Sequence, residues 1–148
     1  MRDSVHDNWV YAQAVDYERC RVVLHTVYPH VEPPEYTDIV FEGVTAVHFE
    51  LPLFARGPYP ANVLFDAEEA AARDVLEAYL PLLEQHRNYG WPVFEWSDLD
   101  DLAVQLTDGG ARCFEVHGSC GLHGFVFAAS MEFRPRQSRA QVAGVQTF

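Results

Sequence analysis

The chain has no lysine; all ten of its basic residues are arginine. That absence excludes a lysine Schiff base and the lysine of a phosphate-cradling P-loop. Cysteine is scarce as well. Cys20, Cys113 and Cys120 make an odd count with no CxxC pair, so neither a disulfide framework nor a paired-cysteine metal site is expected. A Cys113–Cys120 bridge across the turn is left open by the spacing but is not expected. Long apolar runs are missing, and none approaches the length of a membrane span, so no membrane partner is expected. The first eight residues, Met1-Arg2-Asp3-Ser4-Val5-His6-Asp7-Asn8, are polar and lack the apolar core of a secretory signal, which points to the cytoplasm. Positive charge is short too. Ten basic against 22 acidic residues give −12. Phosphates must be neutralised by basic groups, so nucleic acid is not an expected partner. Nothing calls for a cofactor.

What is present fits one globular domain. The 148 residues are 49% hydrophobic and 14% aromatic, enough for a sizeable core. The expected domain covers 1–133, and the more polar 134–148, with three arginines, reads as a poorly ordered tail. The stretch Arg112–Phe133 carries the strongest local signal. Aromatic and β-branched flanks surround Gly118-Ser119-Cys120-Gly121, the pattern of two strands and a tight turn. The second flank, Leu122–Phe133, is nearly all apolar and reads as one central strand covered on both faces. Phe125 and Phe127 then share one face and Val126 takes the other.

Upstream, Trp9–Asp16 and Arg19–Tyr28 read as a hairpin turning at Tyr17-Glu18. Thr37–Leu51 is a long strand interrupted at Glu42-Gly43, where glycine suggests a bulge or close backbone packing. Pro52–Pro60 is a loop, and Asn62–Phe65 a short strand. Asp66 reads as a helix N-cap with Glu68 and Glu69 in the first turn. Leu76, Tyr79, Leu80 and Leu83 supply the apolar face. Pro81 either kinks that helix or begins a second. Asn88–Pro92 ends it. Ser97 caps a further helix running to Gly109-Gly110. The order predicts an α+β fold: a mainly antiparallel sheet of about five to seven strands, with one or two helices inserted before the C-terminal hairpin.

Several residue sets invite chemistry. His117-x2-Cys120-x2-His123 resembles metal-ligand spacing, but a fourth ligand is missing, so no metal is assigned. Cys120 with His117 or His123 would give a hydrolase its thiolate–imidazole pair, although no orienting third group can be named. Gly118-Ser119-Cys120-Gly121 is not a nucleophile elbow. His6-Asp7 lacks the further histidines of a phosphohydrolase and reads as a polar turn. The non-enzymatic reading rests on charge. From Asp66 to Asp101 there are ten acidic and two basic residues, a balance of −8 within the total of −12. A face of one sign steers a counter-charged partner. Glu68, Glu69, Asp98, Asp100 and Asp101 are the expected steering groups, with Trp91 or Trp96 in the loop Gly90–Trp96 as apolar anchor. Those aromatics would equally serve a homodimer contact.

Three short patterns carry a resemblance: His6-Asp7 ahead of a strand, Phe41-Glu42-Gly43-Val44, and Ser119-x-Gly121-x-x-Gly124-x-Val126-x-Ala128 near the end. Together they resemble small bacterial β-rich domains, some of which look like immunity proteins that neutralise a polymorphic toxin. The resemblance spans most of Val5–Met131. It implies a β-rich domain and admits toxin neutralisation; joined to the acidic balance, it makes a basic protein such as a toxin the expected partner, and it carries over no catalytic residue. The long acidic helical insert departs from it.

Overall fold

The computed structural model describes residues 4–57, 61–92 and 94–141. Pro58 and Pro60 of the expected loop, Val93 of the aromatic loop, and the chain beyond Gln141 lie outside them. Eight strands and three helices follow in the order β1 (Trp9–Asp16), β2 (Arg21–Tyr28), β3 (Glu35–Glu42), β4 (Ala46–Glu50), β5 (Val63–Glu69), α1 (Ala72–Ala78), α2 (Leu80–Arg87), α3 (Leu99–Leu106), β6 (Arg112–Cys120), β7 (His123–Ala128) and β8 (Ser130–Arg136). The strands form one sheet ordered β4-β7-β6-β5-β1-β2-β3-β8. All of its pairings are antiparallel. The mainly antiparallel α+β expectation therefore holds, but the strand and helix counts both exceed it. No helix among the described residues is long and apolar enough to cross a membrane.

The sheet folds back on itself because two strand pairs bend together. β3 continues into β4 past Gly43, and β7 continues into β8 past Ala129. The bends are tied: the Ala129 N–H donates to the carbonyls of Glu42 (2.9 Å) and Gly43 (3.2 Å), and the Thr45 N–H to that of Phe127 (2.8 Å). Gly43 sits at φ +62°, and a Cβ there would lie 2.8 Å from the Cβ of Ala129, so this bend has no room for a side chain. The expected single strand Leu122–Phe133 is thus two strands with different partners.

Folding back sets the halves β8-β3-β2-β1 and β5-β6-β7-β4 face to face. Val22, Leu24, Ile39 and Phe41 of one half meet Leu64, Phe114, Val116, Val126 and Ala128 of the other. The rings of Phe41 and Phe114 lie 6.1 Å apart. A second core lies outside β6 and β7, where Val75, Leu76, Leu83, Leu102 and Leu106 of the helices cover Cys113, Phe125 and Phe127. β7 therefore feeds both cores by the period of two: Phe125 and Phe127 point to the helices and Val126 to the inter-sheet core, all at 0% exposure. Each such fully buried side chain contributes about 1.5–3 kcal/mol.

The helices start later than expected. Asp66, Glu68 and Glu69 belong to β5, paired with β6, and α1 begins only at Ala72 with no side-chain cap. Local composition favoured a helix, but pairing with β6 decided the outcome. Pro81 occupies the first turn of α2, so it begins a second helix rather than kinking one. Asp98, not Ser97, caps α3 by accepting from the Asp101 N–H. Past β8, the Ala140 N–H donates to the Tyr11 hydroxyl at 2.9 Å, and the Arg139 guanidinium lies 4.1 Å from that ring. The expected boundary at 133/134 falls inside β8, and Arg139 and Ala140 lie against Tyr11 of β1.

Candidate functional site

The helices cover only part of the outer face of β5-β6-β7-β4. The covered rows carry Ala46, Phe127 and Cys113. Beyond them the same face becomes polar. Glu50 stands opposite His123, and His48 opposite Phe125. Glu115 also stands opposite Phe125, Glu68 opposite Glu115, and Asp66 opposite His117. Cross-strand partners share a face, so residues from β4, β7, β6 and β5 assemble into one half-exposed strip.

The strip is a chain of imidazole–carboxylate contacts. Glu50 Oε1 lies 2.7 Å from His123 Nε2, and its Oε2 3.3 Å from His48 Nε2. His117 Nε2 lies 3.3 Å from Glu115 and 3.4 Å from Glu68. His123 Nδ1 also sits 3.2 Å from the Gly121 carbonyl. Burial alone would raise the Glu50 pKa, but the His48 and His123 hydrogen bonds outweigh it and hold the carboxyl below its ordinary value. Tyr79, between α1 and α2, borders the strip; its ring is 5.6 Å from His48 and 5.0 Å from Phe125. Burial pushes its phenol up to about 12, and the charges of Glu50 and Glu115 add to the shift. It remains a neutral donor at ordinary pH.

The residues expected from sequence divide. Trp96 is 3% exposed, with the Arg87 guanidinium 3.9 Å above its ring and also bonded to the Trp96 carbonyl. It is a core residue, so the surface anchor expected of it is not there. Trp91 is half-buried and lines a slot of about 210 Å³ with Val47, His48, Leu83, His86 and Phe125. Among the carboxylates, Asp98 caps α3. Asp101 accepts from the Ser97 N–H at 2.8 Å, which is the main reason its pKa is lowered. Asp100 pairs with Arg73 at 2.7 Å, and Glu69 with Arg112 at 3.0 Å. Only Glu68 of that set reaches the strip.

The alternative catalytic set does not assemble among the described residues. His117 and His123 lie on the strip, each against carboxylates. Cys120, exposed at the end of β6, directs its thiol to the Ala61 carbonyl at 3.8 Å and makes no hydrogen bond to either imidazole. Cys113 is buried and unpaired; burial, with the charges of Glu115 and Glu69, pushes its thiol up to about 12. No group of three or more His, Cys, Asp or Glu among the described residues is placed to hold a metal ion. His48, Glu50, Glu115 and Tyr79 were missed by sequence reasoning. His48-x-Glu50 and Glu115-x-His117 did carry a signal: polar pairs two apart in apolar strands mark a single face. No protein-family model, curated protein or solved structure matches the chain.

Proposed function

We propose that this chain is a non-enzymatic binding protein whose acidic strip holds a basic protein partner, in the manner of an immunity protein that neutralises a toxin. One observation carries the reading. Glu50, Asp66, Glu68 and Glu115 share a half-exposed face, and among the described residues no arginine pairs with any of them. Elsewhere in the same half of the chain, four acids are paired by arginine from within: Asp100 and Glu77 by Arg73, Glu84 by Arg87, Glu69 by Arg112. A cluster of carboxylates lacking a permanent cation attracts one from outside, and the −12 net charge extends that attraction over the approach path. Trp91 and the apolar slot beside His48 give the partner something to bury once it arrives.

The test is binding of the partner captured from the source cells, purified, and measured against wild type and a Glu50→Gln/Glu68→Gln/Glu115→Gln variant at low and high salt. The expected result is association about tenfold slower in the variant, with a flatter salt dependence. Equal rates and equal salt slopes in both proteins would refute the reading.

A further inference from the structure

We propose that two copies of this chain associate through the open edge of β1, in a two-fold dimer that uses none of the residues of the acidic strip. The inference goes beyond the binding function proposed above and does not depend on it.

β1 is paired along its length on one side only. β2 accompanies it from Trp9 to Asp16. On the other side the register with β5 is the single pair Trp9↔Val63, next to which the Val10 N–H donates to the Asn62 carbonyl at 2.8 Å. From Tyr11 to Asp16 that side has no strand partner among the described residues, and Gln13, Ala14 and Val15 are exposed. An open strand edge is a template for another strand, and edges that stay single are commonly guarded by lysine, proline or other charge. The run Trp9–Val15 contains none of these.

The edge borders an open groove of about 750 Å³, with Val27, Phe49 and Leu122 on its apolar side and Leu53 and Phe54 in a further wall. Leu53 is 48% exposed and Phe54 87%. Their loop is held in place by buried Asn62, whose side chain accepts from the Leu53 N–H and donates to the Leu53 carbonyl, both at 2.9 Å. The same amide oxygen accepts from the Leu122 N–H at 3.0 Å. Two large apolar side chains are thus fixed on the surface beside a groove, which lowers the ordering cost of a contact.

Three features select a second copy as the occupant. A projecting Phe54 next to an apolar groove on one face is self-complementary about a two-fold axis, as an isologous interface requires. Each chain carries −12, so two copies repel over most of their surface; of the described residues lining this groove, Arg139 alone is charged. The two ends of the open edge also differ in sign. The Arg139 guanidinium lies 4.1 Å from the Tyr11 ring, while Asp16, with Arg19 at 3.3 Å, closes the other end. A two-fold axis near Gln13 or Ala14 runs the paired strands antiparallel and sets the Asp16 end of each against the Arg139 end of the other.

The test is sedimentation equilibrium of the full chain, joined to hydrogen exchange. At about 100 μM the wild type should show twice the 16.8 kDa of one chain. Phe54→Asp and Ala14→Lys, both at exposed positions, should each weaken the dimer about tenfold or more. Tyr89→Ser, which removes an exposed aromatic from the loop after α2, should leave it unchanged. A measurement on wild type alone guards against misfolding of the variants: amides from Ala12 to Val15 should exchange more slowly in the dimer than after dilution to monomer. A wild type that is monomeric at that concentration overturns the proposal. So does a dimer that Phe54→Asp and Ala14→Lys leave intact, one that Tyr89→Ser dissociates, or equal exchange of the β1 amides in dimer and monomer.

Discussion

Phe125→Ala tests whether the helix layer and the inter-sheet core are held by different faces of one strand. Phe125 is fully buried. Its ring meets Tyr79 edge-on at 5.0 Å, Phe127 edge-on at 5.7 Å and His48 at 5.8 Å. Loss of the transfer term alone costs about 2–3 kcal/mol. A poorly collapsing hole of roughly 80 Å³ adds about 2 kcal/mol at ~24 cal/mol per Å³. The sum, about 4–5 kcal/mol, already includes the aromatic contacts and is a large share of a domain's ~5–15 kcal/mol. At about 3 °C per kcal/mol for a chain of this size, the midpoint should fall by roughly 12–15 °C. Thermal denaturation followed by far-UV circular dichroism measures it. The matched control is Phe65→Ala on β5, where the side chain is 58% exposed and the cost should stay below about 1 kcal/mol. Hydrogen exchange adds the location: amides of α1, α2 and α3 should lose protection before those of β1, β2 and β3. Equal losses for Phe125→Ala and Phe65→Ala, or uniform loss of protection, would refute a separate helix-side core.

Gly124→Ala should be worse than any surface change, because a Cβ there would lie 1.8 Å from the His48 carbonyl oxygen on the neighbouring strand. β4 must separate from β7 or the chain must fail to fold, and a soluble variant with a wild-type midpoint would contradict that packing. Two of the three thiols should react with an aromatic disulfide reagent in the native protein. Cys20 and Cys120 are exposed, while Cys113 is buried with its thiol pushed up to about 12; three equally fast thiols without denaturant would refute this. The lowered pKa of Glu50 implies a stability contribution that is fully present above the ordinary carboxylate range and lost as pH falls through the folded value. Glu50→Gln should therefore narrow its stability gap to wild type only as the pH falls through and below the ordinary carboxylate range, and a gap independent of pH there would sink the assignment.

Period-two reading recovered most of the strands because their inward residues are large and their outward ones polar. β1 follows the expected bounds, and Gly43 marks a break in the second long strand for the reason glycine was suspect there. Two features escaped that reading. Asp66-Ala67-Glu68-Glu69-Ala70-Ala71 has the composition of a helix start, yet Asp66 to Glu69 pair with His117 to Phe114; such pairing depends on residues about fifty positions away. The apolar run through Ala128 hides the bend at Ala129. Residues on both sides of the bend are apolar, and the change of partner from β4 and β6 to β3 leaves no compositional mark.

The acidic insert was legible as charge but not as surface. Counting carboxylates along the sequence weighs Asp98, Asp100 and Asp101 most heavily, because they are adjacent. The fold uses those three locally, at the cap and first turn of α3 and against Arg73, where the helix dipole also favours them. The carboxylates of the strip, for which no arginine pair occurs among the described residues, come instead from three strands, as Glu50, Asp66 with Glu68, and Glu115. A chain without lysine, holding much of its arginine in local pairs, has imidazole as its remaining cation for that face.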